Sequence, residues 1–316
     1  MQQQIGIVLL NLGGPERLAD VEPFLYNLFS DRQIIRLGPA FLQKPIAWLI
    51  ARRRAPKSME SYRRIGGGSP LNRITAEQAR ALEDVLAGDI PCRVGMAMRY
   101  WQPFAGEILE RFRRHGIERL VALTLYPHYS VATTGSSLAD LREKAAGFTL
   151  AAVESYPDHP GYVQALAATI GEGLAAMGDG ARVVYSAHSL PVKFIEEGDP
   201  YCDHLQRTIA AVEKLTGVRG EVGYQSRSGP VRWLAPSTPD TLRRLADEGC
   251  RKVLMVPISF VSDHVETLYE IDMQYREIAA GLGIELARSR SLNTDPLFIG
   301  ALKDLVLQCC RERDWL

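Results

Sequence analysis

Five cysteines in 316 residues include no Cys-x-x-Cys pair, so the chain carries neither a disulfide framework nor a zinc-ribbon spacing, and the thiols fit a reducing compartment. Net charge is also missing. Thirty-seven basic residues balance thirty-seven acidic ones, which removes bulk attraction to nucleic acid. No apolar run approaches the roughly 18 residues of a membrane span. Met1-Gln2-Gln3-Gln4 has no basic region of a secretory signal, so the expected location is cytoplasmic. Two phosphate-loop patterns are absent as well. Asn11-Leu12-Gly13-Gly14-Pro15 follows the first apolar run without Gly-x-Gly-x-x-Gly spacing or a Gly-Lys-Ser/Thr ending. No internal repeat is visible.

What is present is an alternation. Apolar runs at Ile5–Leu10, Arg93–Tyr100, Leu120–Tyr126, Ala151–Ser155, Arg182–Ala187, Glu221–Gln225, Lys252–Pro257 and Ile284–Ala287 are separated by segments of helical period. These include Thr75–Leu86, Pro103–His115, Gly161–Ala176, Tyr201–Leu215, Thr238–Glu248 and Val265–Ala280. Near-continuous apolar strands between helices predict α/β architecture with parallel sheets covered on both faces. Eight strands suit two sheets better than one. Ser155–Gly161, with two prolines and a glycine, is the expected linker. Asp295–Cys310 is expected to be a closing helix that packs back on the first domain.

Two strand ends concentrate the chemistry. His188 closes Val183-Val184-Tyr185-Ser186-Ala187, and Ser262-Asp263-His264-Val265-Glu266 follows the strand ending at Pro257. Ligands of open parallel sheets sit at the carboxyl ends of strands, so two imidazoles and the carboxylates Glu266 and Glu270 could together hold a divalent metal and accept protons. Glu266 has a second reading, the fourth residue of an Asp-x-x-Glu capping box. Against it, Glu266 and Glu270 share a helical face, and Gln274 would extend that polar line. Tyr100, Trp101, Tyr126, Tyr129, Trp233 and Phe260 fall near strand ends, as walls for a flat apolar ligand would.

The basic cluster Arg52-Arg53-Arg54, Lys57, Arg63 and Arg64 is either a solvated helix face or an anchor for carboxylates. Gly66-Gly67-Gly68-Ser69-Pro70 follows a helix-like segment instead of a strand, which points to close backbone approach. Leu37–Leu49, with Phe41, Leu42, Ile46 and Trp48, is either an amphipathic lip that touches a bilayer or an ordinary packed helix.

With these residues assembled, the chain resembles the ferrochelatases, which insert ferrous iron into protoporphyrin IX. The resemblance runs nearly end to end. It includes Leu10–Pro15, Tyr62–Leu71, Tyr126–Ser130 with Thr133–Ser137, Ser186–Pro191, Gln225-Ser226 with Gly229-Pro230 and Trp233, and Phe260–Asp272. It implies two Rossmann-like domains, residues 1–150 and 151–294, with segment 295–316 returning to the first and a porphyrin cleft between them. It implies that His188 and Glu266 are catalytic and face each other across the macrocycle, with His264 and Glu270 behind as further metal ligands. It places Leu12, Ile34, Arg53, Arg54, Tyr62, Arg99, Tyr126, Ser226, Trp233 and Phe260 around the porphyrin. Either His188 or Glu266 can take the pyrrole protons while the other holds the metal.

Some relatives carry a [2Fe–2S] cluster on four cysteines. Here the internal position is Val131 and Leu316 follows soon after Cys310, so no cluster and no tightly bound cofactor are expected, and Fe(2+) is a substrate. A monomer is expected, in the cytoplasm or peripheral at the inner face of the membrane. The alternatives are a coproporphyrin III ferrochelatase, a non-catalytic tetrapyrrole carrier and a two-lobed solute-binding protein.

Overall fold

Apolar and β-branched runs of four to eight residues form eight strands in two separate parallel sheets. The computed structural model describes residues 3–227, 229 and 231–316; Pro230 of the sequence motif lies outside them. Backbone packing divides the chain into unit 1 (Met1–Ser155 and Ile299–Leu316) and unit 2 (Tyr156–Phe298).

Unit 1 holds β1 (Ile5–Asn11), β2 (Cys92–Met98), β3 (Arg119–Thr124) and β4 (Thr149–Val153), in the order β2-β1-β3-β4. Its helices are α1 (Val21–Ser30), α2 (Gln43–Arg64), α3 (Leu71–Leu86), α4 (Ala105–Arg114) and α5 (Ser136–Lys144), the last preceded by a π-helical turn, Val131–Gly135. Every residue of β1 is buried, as expected of a central parallel strand covered on both faces. Helix α2 ends where Gly67 N–H bonds Tyr62 C=O at 2.9 Å, with Gly66 and Gly67 both at positive φ. The expected close approach is one residue further on. A Cβ on Gly68 would stand 2.1 Å from the carbonyl oxygen of Glu16.

Unit 2 holds β5 (Ala181–His188), β6 (Gly220–Gln225), β7 (Lys252–Pro257) and β8 (Glu285–Arg288), in the order β6-β5-β7-β8. Helices α6 (Pro160–Met177), α7 (Val192–Glu196), α8 (Tyr201–Thr216), α9 (Thr238–Asp247) and α10 (Arg276–Gly281) belong to it, and α11 (Pro296–Glu312) begins in it and continues into unit 1. Pro160 opens α6 where its missing N–H costs nothing, and Gly217 closes α8 at φ 70°. The core of unit 2 gathers Val184, Val253 and Met255 of the sheet with Leu242, Leu245, Ile271 and Tyr275.

All eight strand expectations correspond to strands, with ends shifted by up to two residues. The helix expected from Thr75 begins earlier, at Leu71. The one expected from Pro103 begins at Ala105. The largest correction concerns Val265–Ala280. Glu266–Tyr275 is π-helical, and only Arg276–Gly281 is α-helical. In the wider π turn the residues four and five ahead straddle the first, so a stripe carried by fours drifts off the face by its third member. Gln274 is accordingly exposed, while Tyr275 is 5% exposed and its hydroxyl lies 3.5 Å from Glu270.

Candidate active site

Strand β5 delivers His188 in register with Gln225, the last residue of β6. Polar side chains at adjacent parallel strand ends thus start side by side. The His188 backbone is held on both polar groups: its N–H donates to Ser259 Oγ at 3.3 Å, and its carbonyl accepts from Tyr201 Oη at 2.9 Å.

The π-helix after β7 brings Glu266 to the imidazole. His188 Nδ1 lies 2.8 Å from Glu266 Oε2, with side chains 35% and 15% exposed. The same oxygen accepts from Ser226 Oγ at 2.9 Å and from Gln225 Nε2 at 3.1 Å. The capping-box reading of Glu266 is therefore wrong, because its described hydrogen bonds go to β5 and to the end of β6 instead of back to the helix start. Glu270 stands behind. Ser226 Oγ is 2.7 Å and Gln225 Nε2 3.4 Å from its Oε2. A hydroxyl has one proton to give, so Ser226 serves one carboxylate at a time. Its φ of +64° is a conformation L-residues rarely adopt, and the strain sits where the two carboxylates meet. Buried Ser186 donates to Gln225 Oε1, which turns the amide nitrogen toward both acids.

These contacts set opposite protonation tendencies. Burial disfavours charge on Glu266, but the His188 charge and hydrogen bond, with His264 and Ser226, outweigh it and hold the carboxyl down at about 2. Burial also works against an imidazolium at His188; the Glu266 charge and hydrogen bond, then Glu270, raise it nonetheless. Glu270 is pushed up to about 7 by burial and then by the negative charge of Glu266. His264 is lowered by burial. Its Nδ1 lies 3.1 Å from Ser262 C=O, its Nε2 is buried with no hydrogen-bond partner among the described residues, and its ring packs 4.2 Å from Phe260.

Of the four expected metal ligands, then, His188 and Glu266 touch, Glu270 joins them through Ser226 and Gln225, and His264 packs edge-on against Phe260. Among the described residues no three His, Cys, Asp or Glu are grouped to hold one ion. Phe260 also lies edge-on to His188, with centroids 6.2 Å apart. Trp233 is half-buried and bridges to Pro191, and its Nε1 is buried with no described partner.

In unit 1, Leu12, Ile34 and Tyr126 are half-buried and Arg53 and Arg54 are exposed on α2, whereas Tyr62 is 6% exposed. Arg99 is already engaged. Its guanidinium bonds Asp31 at 2.8 Å, Ser136 at 2.7 Å and Asp140 at 3.3 Å. Tyr100, expected as a wall, is instead core: it is 1% exposed with its hydroxyl 2.7 Å from Asp31. Reading the sequence missed Gln225's bridging role, Ser259, Tyr201, Asp31 and Asp140. For Gln225 and Ser259 the available signal was a polar residue at or just past the end of an apolar strand; Tyr201, Asp31 and Asp140 lie in or beside helices and carried none.

Residues 4–309 match the ferrochelatase family. A ferrochelatase of Desulfotalea psychrophila is 56% identical over 314 residues, covering 98% of each chain. One of Geotalea uraniireducens is 53% identical, covering 97% of this chain and 98% of its own. Among solved structures, SirB from Bacillus subtilis with Fe3+ covers 99% of this chain and 98% of its own at TM-score 0.57 and 10% identity. CbiX, described as the terminal enzyme of siroheme biosynthesis in denitrifying bacteria, covers 97% of this chain and 99% of its own at TM-score 0.53 and 12% identity. These two likenesses concern the fold alone, which this chain shares with SirB and CbiX. With a polar centre of this composition and relatives matched over their whole length, the carrier and solute-binding alternatives fall away: the chain belongs to the ferrochelatase family, metal chelatases of terminal haem synthesis that insert a metal into a porphyrin.

Proposed function

We propose that the metal is ferrous iron, the porphyrin is protoporphyrin IX, and His188 and Glu266 are the pair at the macrocycle centre. The observation that carries this reading is the 2.8 Å contact between His188 Nδ1 and Glu266 Oε2 at the carboxyl end of the unit 2 sheet. Metallation removes two pyrrole protons and takes in a dehydrated dication, so it needs a base and a transient anionic ligand together. The described hydrogen bonds to Glu266 converge on Oε2, which leaves Oε1 for a cation. A dication beside Glu266 offsets the negative charge that otherwise favours the imidazolium, so His188 releases its proton to solvent as metal arrives. The neutral ring then accepts the two pyrrole protons in turn, passing the first to solvent before it takes the second, and positioned acid–base groups of this kind contribute roughly 10²–10⁴-fold.

Phe260, Trp233, Tyr126, Leu12, Ile34 and Tyr62 supply the apolar contacts of the ring in this proposal, and the exposed Arg53 and Arg54 its carboxylate anchors. Anaerobic mixing with protoporphyrin IX and ferrous iron, followed in the visible spectrum beside His188→Ala, tests it. Metalloporphyrin with the parent and none with the variant is the expected result; turnover confined to coproporphyrin III would replace the substrate, and full turnover by the variant would remove His188 from the centre.

The membrane-touching reading of the Leu37–Leu49 stretch is favoured by exposure: Phe41 is 78%, Trp48 49% and Leu49 44% exposed, next to exposed Arg52, Arg53 and Arg54. No helix among the described residues is long and apolar enough to cross a membrane. Co-flotation with anionic liposomes is the expected outcome, and protein remaining in the soluble fraction would overturn it.

A further inference from the structure

A π-helical segment must be supported from outside, because its wide turn packs and hydrogen-bonds less well than an α-helix. Here both Glu266 and Glu270 ride on such a segment, and one guanidinium ties a residue before Glu266 to one after Glu270. Arg288, the last residue of β8, donates from Nε and Nη2 to the two oxygens of Asp272, each at 2.9 Å. Its Nη1 faces Asp263 Oδ1 at 3.1 Å and Ser291 Oγ at 3.0 Å. Asp263 precedes Glu266 by three residues and Asp272 follows Glu270 by two. The clamp therefore spans the whole carboxylate-bearing stretch.

The Asp263 end is itself anchored. Its Oδ1 accepts from Ser291 Oγ at 2.7 Å and Thr267 Oγ1 at 3.2 Å, and its Oδ2 from Asn293 Nδ2 at 2.9 Å. Its N–H returns to Asn293 Oδ1 at 2.9 Å, and Asn293 holds a φ of +45°. Arg288 is 11% exposed, Asp263 21% and Asp272 23%. Arg276 is the other cation near Asp272, but it stands 3.8 Å away and is 56% exposed.

We propose that Arg288 is a positioning residue for metal insertion: its fork on Asp272 and Asp263 holds the π-helix in the register that sets Glu266 against His188 and keeps Glu270 behind it. The inference rests on the reading of His188 and Glu266 as the metal-inserting pair. Arg288 touches neither of them, so it acts on rate through geometry. Lysine keeps the charge but is a point donor that cannot bind both oxygens of Asp272 while reaching Asp263. Misplacement of reacting groups by about 1 Å costs on the order of 10²-fold.

The full-length protein is assayed as Arg288→Lys, Asp272→Asn and His188→Ala, with protoporphyrin IX binding by fluorescence quenching and ferrous-iron insertion measured on each. Arg288→Lys is expected to bind porphyrin as the parent does and to insert iron about 10²-fold more slowly at saturating porphyrin, with Asp272→Asn falling in the same direction. A folded Arg288→Lys and Asp272→Asn that both insert iron at the parental rate, with His188→Ala inactive, overturn the clamp and leave the centre standing. An equal loss of porphyrin binding and rate overturns it too, because a general structural role moves both. Where Arg288→Lys does not fold, Asp272→Asn decides between the same outcomes. An active His188→Ala refutes the centre itself.

Discussion

Replacing Glu270 by glutamine should stabilise the protein by an amount that grows as pH rises from 4.5 to about 7 and is constant above. Glu270 titrates at about 7 in the fold against an ordinary value of 4.5. Between those values the folded chain binds more protons than the unfolded chain, so stability falls as pH rises through that window. At about 1.4 kcal/mol per pH unit, the charged group costs the folded state at most about 3 kcal/mol above pH 7. Glutamine keeps the shape of the protonated acid and cannot ionise. Below pH 4.5 the parent and variant should therefore be nearly equal, and by pH 8 the variant should be more stable by up to about 3 kcal/mol.

His188 contributes the opposite kind of pH dependence. Its raised value adds stability that is present below 6.5 and lost as pH rises through the folded value, and the variant keeps the larger part of it, because Glu266 raises His188 more than Glu270 does. Glu266, held at about 2, loses its contribution only as pH falls from 4.5, so the comparison is made from pH 4.5 upward. Urea unfolding by circular dichroism in chelator-treated buffer, with equal m-values required, measures the difference. A gap that does not change between pH 4.5 and 8, or a variant less stable at pH 8, would refute the argument that the Glu266 charge and burial load Glu270.

Ser226→Gly should be more stable than Ser226→Ala by about 1 kcal/mol, since both lose the hydroxyl and only alanine keeps the steric cost of φ +64°; urea unfolding of the two variants checks this. Gly68→Ala should cost about 1–3 kcal/mol, because its Cβ would meet the Glu16 carbonyl oxygen at 2.1 Å and a backbone oxygen cannot swing away; a thermal midpoint equal to the parent's would contradict it. The proposal that no iron–sulfur cluster is present predicts neither iron nor acid-labile sulfide in stoichiometric amount in purified protein, and finding both would sink it.

The strands were legible because burial on both faces writes a continuous apolar run, as in Ile5–Leu10 and Lys252–Pro257. Helix α2 was harder. Its 22 residues include Pro45 in the first turn, Pro56 within, and six arginines and lysines after Ile50, so the sequence shows a basic cluster before it shows a helix. The π-helix was not legible at all. Glu266 and Glu270 share a face in either helix type, and only the fate of Gln274 and Tyr275 separates them. His188 and Glu266 stood out as polar groups where apolar strands end. The bridging of Gln225 did not, because it depends on the register that sets Gln225 beside His188 and on Ser186 turning its amide.

The two sheets have the same winding, with their second-written strand outermost and their first beside it. Aligning Arg119 of β3 with Lys252 of β7 through their pairings with Ile5 and Ala181 makes Leu12 the counterpart of His188. Each third strand is also followed by a π-helical segment, Val131–Gly135 in one unit and Glu266–Tyr275 in the other. One architectural plan is thus used twice, once with an aliphatic residue at the strand exit and once with an ionisable one. The plan alone does not make a reactive centre. In the second copy that exit carries His188 in contact with Glu266, while in the first it carries the aliphatic Leu12.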